Sequence, residues 1–394
     1  MMAFILPLAD SEPAVRLAFW LAAGFLFYVY AGYPLLLGAI SLFIHKQPPE
    51  PGYCPRMSVL ITAHNEEAVI ETKIRQTLDL EYPSDKLELL VLSDCSTDRT
   101  DEIVRAFEDP RVRLVSIPEG RGKTHAQNCG ARQATGTILV FSEAASVYHS
   151  QALRYLACNY QDPTVGAVSG RYRSFDSTDG SPAPPRTSAI SSCENLIRTL
   201  ESRIYTITGT SKSIYSVRAA AYSYLPDDIM NDLVQPLSVI QDGYRVVFED
   251  RAVAYEATAI AGGNEFAMRV RNLILGMRGL SMVSALLKPW RFGWPAFQLW
   301  SDKLLRWLVP LFLPLLFSAN LLLLDSDFYR LVLAAQLFFY AAAIVNILLP
   351  VHRLWKPLGL PLEFCTFNMA ALAALLALSR DRKSVTWETA RTRR

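Results

Sequence analysis

The spacing of apolar residues divides the chain into segments of different kinds. Leu17–Ile44 is a run of 28 residues without a formal charge; Trp307–Leu324 and Leu331–Val351 are two more such runs, and Phe364–Ser379 is a shorter fourth. About 20 apolar residues at 1.5 Å rise cross the hydrocarbon core of a bilayer, so this pattern excludes a freely soluble globular protein and a disordered one. From Met57 to about Ala261 the composition is that of a soluble domain, and strand and helix patterns alternate in its first half. Met57–Ala63, Leu87–Leu92, Val112–Ile117 and Ile138–Phe141 read as strands, with helices over Glu66–Leu80, up to Phe107, and over Thr124–Ala134 between them. Such alternation predicts an α/β domain built on a largely parallel sheet. Ligands of such sheets bind beyond the carboxyl ends of the strands, where Asp94 and Glu143 fall. The second half predicts a surface loop at Ser174–Arg186, a helix over Cys193–Tyr205 and a strand near Ser213–Val217. A helix over Asn231–Gln241 follows, then strands at Arg245–Phe248 and Ala252–Tyr255.

Charge refines this division. Residues 1–44 form an N-terminal transmembrane anchor with Arg16 before its core and His45-Lys46 after it; the core is too long for a signal peptide. Gln47-Pro48-Pro49-Glu50-Pro51 is a linker, and the soluble domain occupies 45–264. Over 265–306, Arg269, Arg271, Arg278, Lys288, Arg291, Lys303 and Arg306 are interleaved with Trp290, Trp294, Trp300 and aliphatic residues. That mixture suggests amphipathic helices in the membrane interface, with an ordinary helical subdomain as the alternative. Residues 307–379 hold the C-terminal transmembrane helices and 380–394 a basic tail. Placing the soluble domain in the cytosol puts His45-Lys46, the 265–306 segment and Arg353/Lys356 on the same side, as the positive-inside rule asks. Three crossings after residue 306 would then put the basic tail outside. Either the run at about Pro361–Ser379 does not cross fully or the tail departs from the rule. The net charge of +2 gives no electrostatic case for nucleic acid as a partner, and the six cysteines have no metal-binding spacing.

Several motifs then occur in a fixed order. Ala63-His64-Asn65-Glu66-Glu67 follows the first strand and Ser93-Asp94-Cys95-Ser96-Thr97-Asp98 the second. Gly122-Lys123 precedes Asn128, Asn231-Asp232-Leu233 opens a helix, and Gly243-Tyr244-Arg245-Val246-Val247 enters a strand. Outside the soluble domain stand Tyr30-Ala31-Gly32-Tyr33-Pro34, Lys303-Leu304-Leu305-Arg306-Trp307 and Trp387-Glu388-Thr389 with Arg391. Together these resemble the membrane-bound bacterial family-two glycosyltransferases, relatives of the polysaccharide synthases. The resemblance implies a GT-A fold (Rossmann-like, with a mostly parallel sheet) for 45–264. It also implies nucleotide-sugar contacts at Ala63, Asn65, Glu66, Asp94, Lys123, Asn128 and Glu143, with Arg269 and Arg271 reaching either the leaving diphosphate or lipid headgroups.

The chemistry of these positions can be argued from residue type. A carboxylate at the end of a buried strand, Asp94, suits hydrogen bonds from a base or ribose; the alternative is a turn residue before a helix. Lys123 is a point charge for a diphosphate. Asp232 is the candidate general base for the acceptor hydroxyl in a single, inverting displacement, with a helix-start residue as the alternative. The family's D-x-D metal motif reads Glu143-Ala144-Ala145 here. Glu143 keeps one oxygen ligand for Mg²⁺ or Mn²⁺, whereas Ala145 coordinates nothing. Three readings stay open: an enzyme using metal through Glu143, an enzyme using Lys or Arg in place of metal, and an inactive relative. The Q-x-x-R-W motif of polymer-forming members is missing from Glu265–Leu273.

The expected protein is an inverting glycosyltransferase in the bacterial inner membrane, multi-pass, with a cytosolic catalytic domain. It would move a sugar from a UDP-linked donor to a lipid-linked or surface-glycan acceptor, without high processivity. Membrane lipids and polysaccharide-assembly proteins are its expected partners. The alternative is a silent nucleotide- or glycan-binding relative within a polysaccharide machine.

Overall fold

The computed structural model describes residues 8–44, 49–50, 52–175, 189–257, 265–349 and 359–380. Outside them lie His45-Lys46, most of the 47–51 linker, residues 176–186 of the expected surface loop (whose first two residues end a strand instead), Arg353, Lys356 and the tail from Asp381 with its Trp387-Glu388-Thr389 motif. The chain forms two compact units. The described parts of one are 37–44, 49–50, 52–175, 189–257 and 275–299; those of the other are 8–36, 265–274, 300–349 and 359–380.

The first unit is built on eight strands: β1 Met57–Ala63, β2 Leu87–Asp94, β3 Val112–Ile117, β4 Ile138–Glu143, β5 Ser146–Tyr148, β6 Val165–Phe175, β7 Ile214–Arg218 and β8 Arg245–Ala257. Their order is β3-β2-β1-β4-β7-β6-β8-β5. The four strands β3, β2, β1 and β4 are mutually parallel, and β1, β2 and β4 have the largely apolar sequences of strands buried on both faces. β7 turns antiparallel to β4 and β6, β8 runs parallel to β6, and the short β5 pairs antiparallel with the end of β8. Register then aligns the ends that matter: Ala63 pairs with Ser93, one residue before Asp94, and Thr62 pairs with Glu143.

Two expected strands, Arg245–Phe248 and Ala252–Tyr255, are the halves of β8. The residues between them form a bulge: Gly170 of β6 pairs with Glu249 and the next residue, Arg171, with Val253. Arg251 closes the bulge on Glu249 at 2.7 Å. β5, β6 and the helix Ala152–Cys158 have no counterpart in the sequence expectations.

The helix expected over Glu66–Leu80 begins only at Ile70 and runs to Leu78. It packs Ile70, Lys73, Ile74 and Thr77 inward, the i, i+3, i+4, i+7 face of an amphipathic helix. The expected interfacial segment 265–306 also differs. Its residues 275–299 belong to the sheet-containing unit, where Leu275, Leu280, Val283, Leu286, Ala296 and Leu299 are buried. The fully buried Gln298 donates from Nε2 to the Thr206 carbonyl at 2.7 Å. Apolar residues on one face of a helix bury against whatever apolar surface the fold offers, and here the domain itself offers it.

The second unit holds apolar helices. Four candidate spans are long and apolar enough to cross a membrane: Glu12–Ser41, Trp294–Leu321, Asp327–Leu348 and Leu360–Ser379. The second starts inside the segment expected to lie in the interface. The last is 20 residues, about 30 Å of helix, enough for a crossing by length. Inside the unit Phe25 stacks on Phe312 with centroids 3.9 Å apart, and Phe19 meets Tyr329 edge-on. Two π-helical turns, Tyr28–Gly32 and Trp300–Leu304, are joined by a 2.7 Å hydrogen bond between the Tyr28 hydroxyl and Ser301 Oγ. The first turn precedes Pro34, whose ring would clash with the Tyr30 carbonyl in a regular α-helix; widening the turn relieves the clash. In the second, Asp302 is ion-paired to Lys303 and Arg306 at 2.7 and 3.2 Å.

Candidate active site

The carboxyl ends of β1, β2 and β4 form the floor of the site. After β1 the chain turns through Asn65, a non-glycine residue at φ 54°. Asn65 tolerates this left-handed conformation through its short polar side chain, and its Oδ1 accepts from the Thr97 N–H at 2.8 Å. The Glu66 N–H donates to Thr100 Oγ1 at 2.9 Å and the Glu67 N–H to Asp98 at 3.0 Å. The loops after β1 and β2 are thus stitched together, which explains why the expected helix starts four residues late: Glu66 and Glu67 belong to the loop.

Asp94 at the end of β2 is 2% exposed. Its Oδ2 accepts from the Gly122 N–H at 2.8 Å, while Oδ1 is buried with no hydrogen-bond partner among the described residues. Burial raises the Asp94 pKa, opposed in part by the Gly122 N–H and by His64 and His125. A buried acceptor without a partner is costly unless a ligand supplies the donor. Gly122 makes its own bond from φ 97°, a conformation closed to side chains, and then starts the helix Lys123–Gln133.

Lys123, the first residue of that helix, meets Glu143 at the end of β4, Nζ to Oε1 2.7 Å. A second cation lies on the other oxygen: Lys212 Nζ is 3.8 Å from Glu143 Oε2 and 3.6 Å from Glu256 Oε2 on β8. Burial works against ionisation of Glu143, but the two ammonium groups outweigh it and hold its carboxyl well below the usual range. Glu256 goes the other way, raised by burial and by the charge of Glu143 against the pull of Lys212.

Beneath them Lys73, 3% exposed, donates to the Ser146 carbonyl at 2.6 Å and sits over the Tyr148 ring. Burial lowers its pKa to about 7, with Glu256 and Glu143 resisting. The unfolded chain therefore binds a proton that the folded one releases between pH 7 and the ordinary lysine range. Stability gained from this group rises with pH through that window, by at most about 1.4 kcal/mol per pH unit. Lys73→Met is expected to flatten the slope of unfolding free energy between pH 7 and 9 relative to the unaltered protein. Parallel slopes in denaturant titrations at the two pH values would refute the assignment.

Asp232 is the second residue of the helix Asn231–Gln241, whose cap position is Met230. Asp232 is thus an acidic residue in the first turn, where the helix dipole favours a carboxylate, and a helix-start position also holds it firmly. The Asp232 carbonyl accepts from both N–H and Oγ1 of Thr210, at 3.0 and 2.9 Å, which ties this helix to the segment carrying Lys212. Burial raises the Asp232 pKa; Lys123 and Lys212 pull it down and Glu143 pushes it up. Asp232 and Lys212 line a cleft of about 180 Å³ together with Tyr172, Glu194, Asn195, Arg198, Thr210 and Ser211. A carboxylate at a helix start with a raised pKa, facing a cleft, suits a general base.

Of the other predicted residues, Ala63 is buried at the β1 end. Asn128 is engaged at both ends of its amide, Nδ2 to the Leu225 carbonyl at 2.7 Å and Oδ1 from the Tyr222 hydroxyl at 3.0 Å, so it holds the 222–225 segment. Arg269 and Arg271 lie on the helix Glu265–Met282, in the part belonging to the helical unit. Lys212, Glu256 and Lys73 were not singled out by sequence. Only Lys73 carried a signal, a charge on the apolar face of its helix.

Residues 58–222 match the family model described as "Glycosyl transferase family 2". Those residues form a family-two glycosyltransferase domain. The chain is 36% identical over 125 residues to a probable glycosyltransferase, YdaM, of Bacillus subtilis, covering 30% of each chain. It is 27% identical over 220 residues to a poly-beta-1,6-N-acetyl-D-glucosamine synthase of Staphylococcus aureus, covering 55% of this chain and 53% of that one. The matched region thus spans about half, or less, of these relatives. A mannosyltransferase of Pyrobaculum calidifontis, solved in complex with GDP-Man and Mn²⁺, superposes with a TM-score of 0.71 over 93% of this chain and 100% of its own, at 24% identity. That likeness is one of fold, and the domain is of the GT-A type.

The family pattern implies a divalent ion beside the end of β4. Among the described residues no three His, Cys, Asp or Glu side chains come together as a metal site. Glu143 has an ammonium group against each oxygen, and Ala145 brings no ligand. A resident divalent ion takes several hard oxygen ligands, and at this motif Glu143, already paired to Lys123 at 2.7 Å, is the single carboxylate supplied. The residues as arranged do not fit a resident metal.

Proposed function

We propose that the chain is a membrane-anchored, inverting glycosyltransferase that takes a sugar from a nucleoside-diphosphate donor, UDP-linked in the first instance. The observation that carries this reading is the placement of Asp232 beside Lys212 on one cleft, with Lys123 at a helix start paired to Glu143 at the end of β4. Asp94, with its partnerless oxygen, is the group for the base or ribose. Asp232 takes the proton from the acceptor hydroxyl. The acceptor oxygen bonds to the anomeric carbon as the bond from that carbon to the diphosphate breaks, its electron pair leaving with the phosphate oxygen. The lysine side chains face the charge that develops.

The acceptor in this reading is a lipid-linked sugar or surface glycan at the cytosolic face of a bacterial inner membrane. The four candidate spans support the membrane; the basic residues before the second span support the orientation. The missing Q-x-x-R-W supports addition of one or a few sugars. The synthase name of the Staphylococcus relative supports N-acetylglucosamine among the first sugars to try, and polysaccharide-assembly proteins as partners.

The test is transfer of labelled sugar to extracted membrane lipids by detergent-purified protein, across UDP-N-acetylglucosamine, UDP-glucose and GDP-mannose. One donor is expected to give a lipid-soluble product that the Asp232→Asn protein does not make. Nucleotide binding without transfer from any donor would favour the silent relative, the reading that Ala145 supports.

A further inference from the structure

The two lysines around Glu143 do more than satisfy one carboxylate. A single Lys–Glu pair would neutralise it, and Lys123 at 2.7 Å already does so. Lys212 adds a second positive charge from an independent segment, the stretch before β7, held in place by its neighbours. Thr210 is tied to the Asp232 carbonyl, the Ser211 N–H donates to Ser169 Oγ at 2.9 Å, and Ser213 Oγ donates to Glu256 at 3.4 Å. Lys212 nevertheless keeps 56% of its side chain exposed and lines the cleft with Asp232 and Arg198.

Metal-assisted transfer needs positive charge beside the diphosphate, and here two ammonium groups flank the one carboxylate that the metal motif keeps. Lys212 reaches both carboxylates, Glu143 at 3.8 Å and Glu256 at 3.6 Å, while Lys123 holds the other oxygen of Glu143 at 2.7 Å, so the two ammonium groups flank one carboxylate from separate segments of the chain.

We propose that the ammonium groups of Lys123 and Lys212 replace the divalent ion, holding the donor's diphosphate and meeting the charge it gains as its bond to the sugar breaks, so that this glycosyltransferase works without metal. Glu143 is then a positioning residue that sets the spacing of the two cations. The proposal rests on the nucleotide-sugar reading above, and its test separates the two.

UDP, and GDP in parallel, are titrated calorimetrically into the detergent-purified full chain, once in EDTA and once with Mn²⁺. One nucleotide is expected to bind in EDTA, with Mn²⁺ changing its Kd less than about threefold. Lys212→Ala should weaken binding in EDTA about tenfold, the loss of about one charge-assisted contact, and Lys212→Arg should stay within about threefold. Lys212→Ala combined with Ala145→Asp, which removes one ammonium and adds the missing ligand, should make binding respond to Mn²⁺. Thermal melts of the variants check folding, and little change is expected at so exposed a side chain. Binding by the unaltered protein only with Mn²⁺ overturns the inference and leaves the nucleotide-sugar reading standing. Binding in EDTA that Lys212→Ala does not weaken overturns the role of Lys212. No binding of either nucleotide in either condition overturns both.

Discussion

Asp232→Asn lowers kcat for sugar transfer by about three orders of magnitude, within the range for loss of a general base, while the Kd for nucleotide stays within about threefold. The amide is close to the carboxylate in shape, and the helix start is held by the Asp232 main-chain carbonyl on Thr210, which the substitution leaves in place. What changes is the ability to accept a proton at a point facing the cleft. The pH dependence gives a second readout. Burial raises the Asp232 pKa above the ordinary aspartate value, and only the deprotonated form is a base. The kcat of the unaltered protein should therefore fall on acidification, with its midpoint above the ordinary aspartate range. The residual activity of Asp232→Asn should lack that limb. A variant that kept a tenth or more of the activity, or kept the acid limb, would move the base to another residue.

Gly170→Ala lowers the stability of the sheet-containing unit by about 3 kcal/mol, at the upper end for overpacking, or about 6–12 °C in melting temperature for a domain of this size. A Cβ at Gly170 would sit 2.4 Å from the Ala252 carbonyl oxygen and 2.8 Å from Ile214 Cγ2. The first of these is backbone at the bulge where β8 shifts register against β6, so no side-chain rotation relieves it. Moving the bulge also moves the far half of β8, which carries Glu256 to Lys212. Gly52→Ala, where nothing lies within 4 Å of the added carbon, is the control and should melt as the unaltered protein does. Thermal unfolding followed by near-ultraviolet circular dichroism measures both, and a Gly170→Ala melt within 1 °C of the control would refute the packing account.

Local pattern carried much of the fold. β1 and β3 fall at Met57–Ala63 and Val112–Ile117, and the helix of Asp232 at Asn231–Gln241, where the sequence predicts them. The reason is that buried parallel strands and amphipathic helices write their periodicity into neighbouring residues. β6 was missed because its eleven residues, Val165–Phe175, mix Gly, Arg and Ser with apolar residues, and its pairing is with β8, far along the chain. The late start of the Ile70–Leu78 helix has the same origin. Glu66 and Glu67 have good helix propensity, but Thr100 and Asp98 of another loop claim their N–H groups.

At the site, the sequence by itself determined which residues end strands or begin helices, and so brought Asp94, Lys123, Glu143 and Asp232 into view as one group of candidates. It also determined the loss of the second metal ligand at Ala145. Only the tertiary structure decided what Glu143 faces. Lys212 stands in a run of Ser and Thr with no local pattern to mark it, and Glu256 lies 113 residues beyond Glu143 in the chain. Their meeting depends on the order of β4, β7 and β8 in the sheet. Periodicity reports which face of an element is buried, whereas the charge opposite a side chain is set by strands far away in sequence. For that reason the carboxylate first read as a metal ligand is found between two ammonium groups.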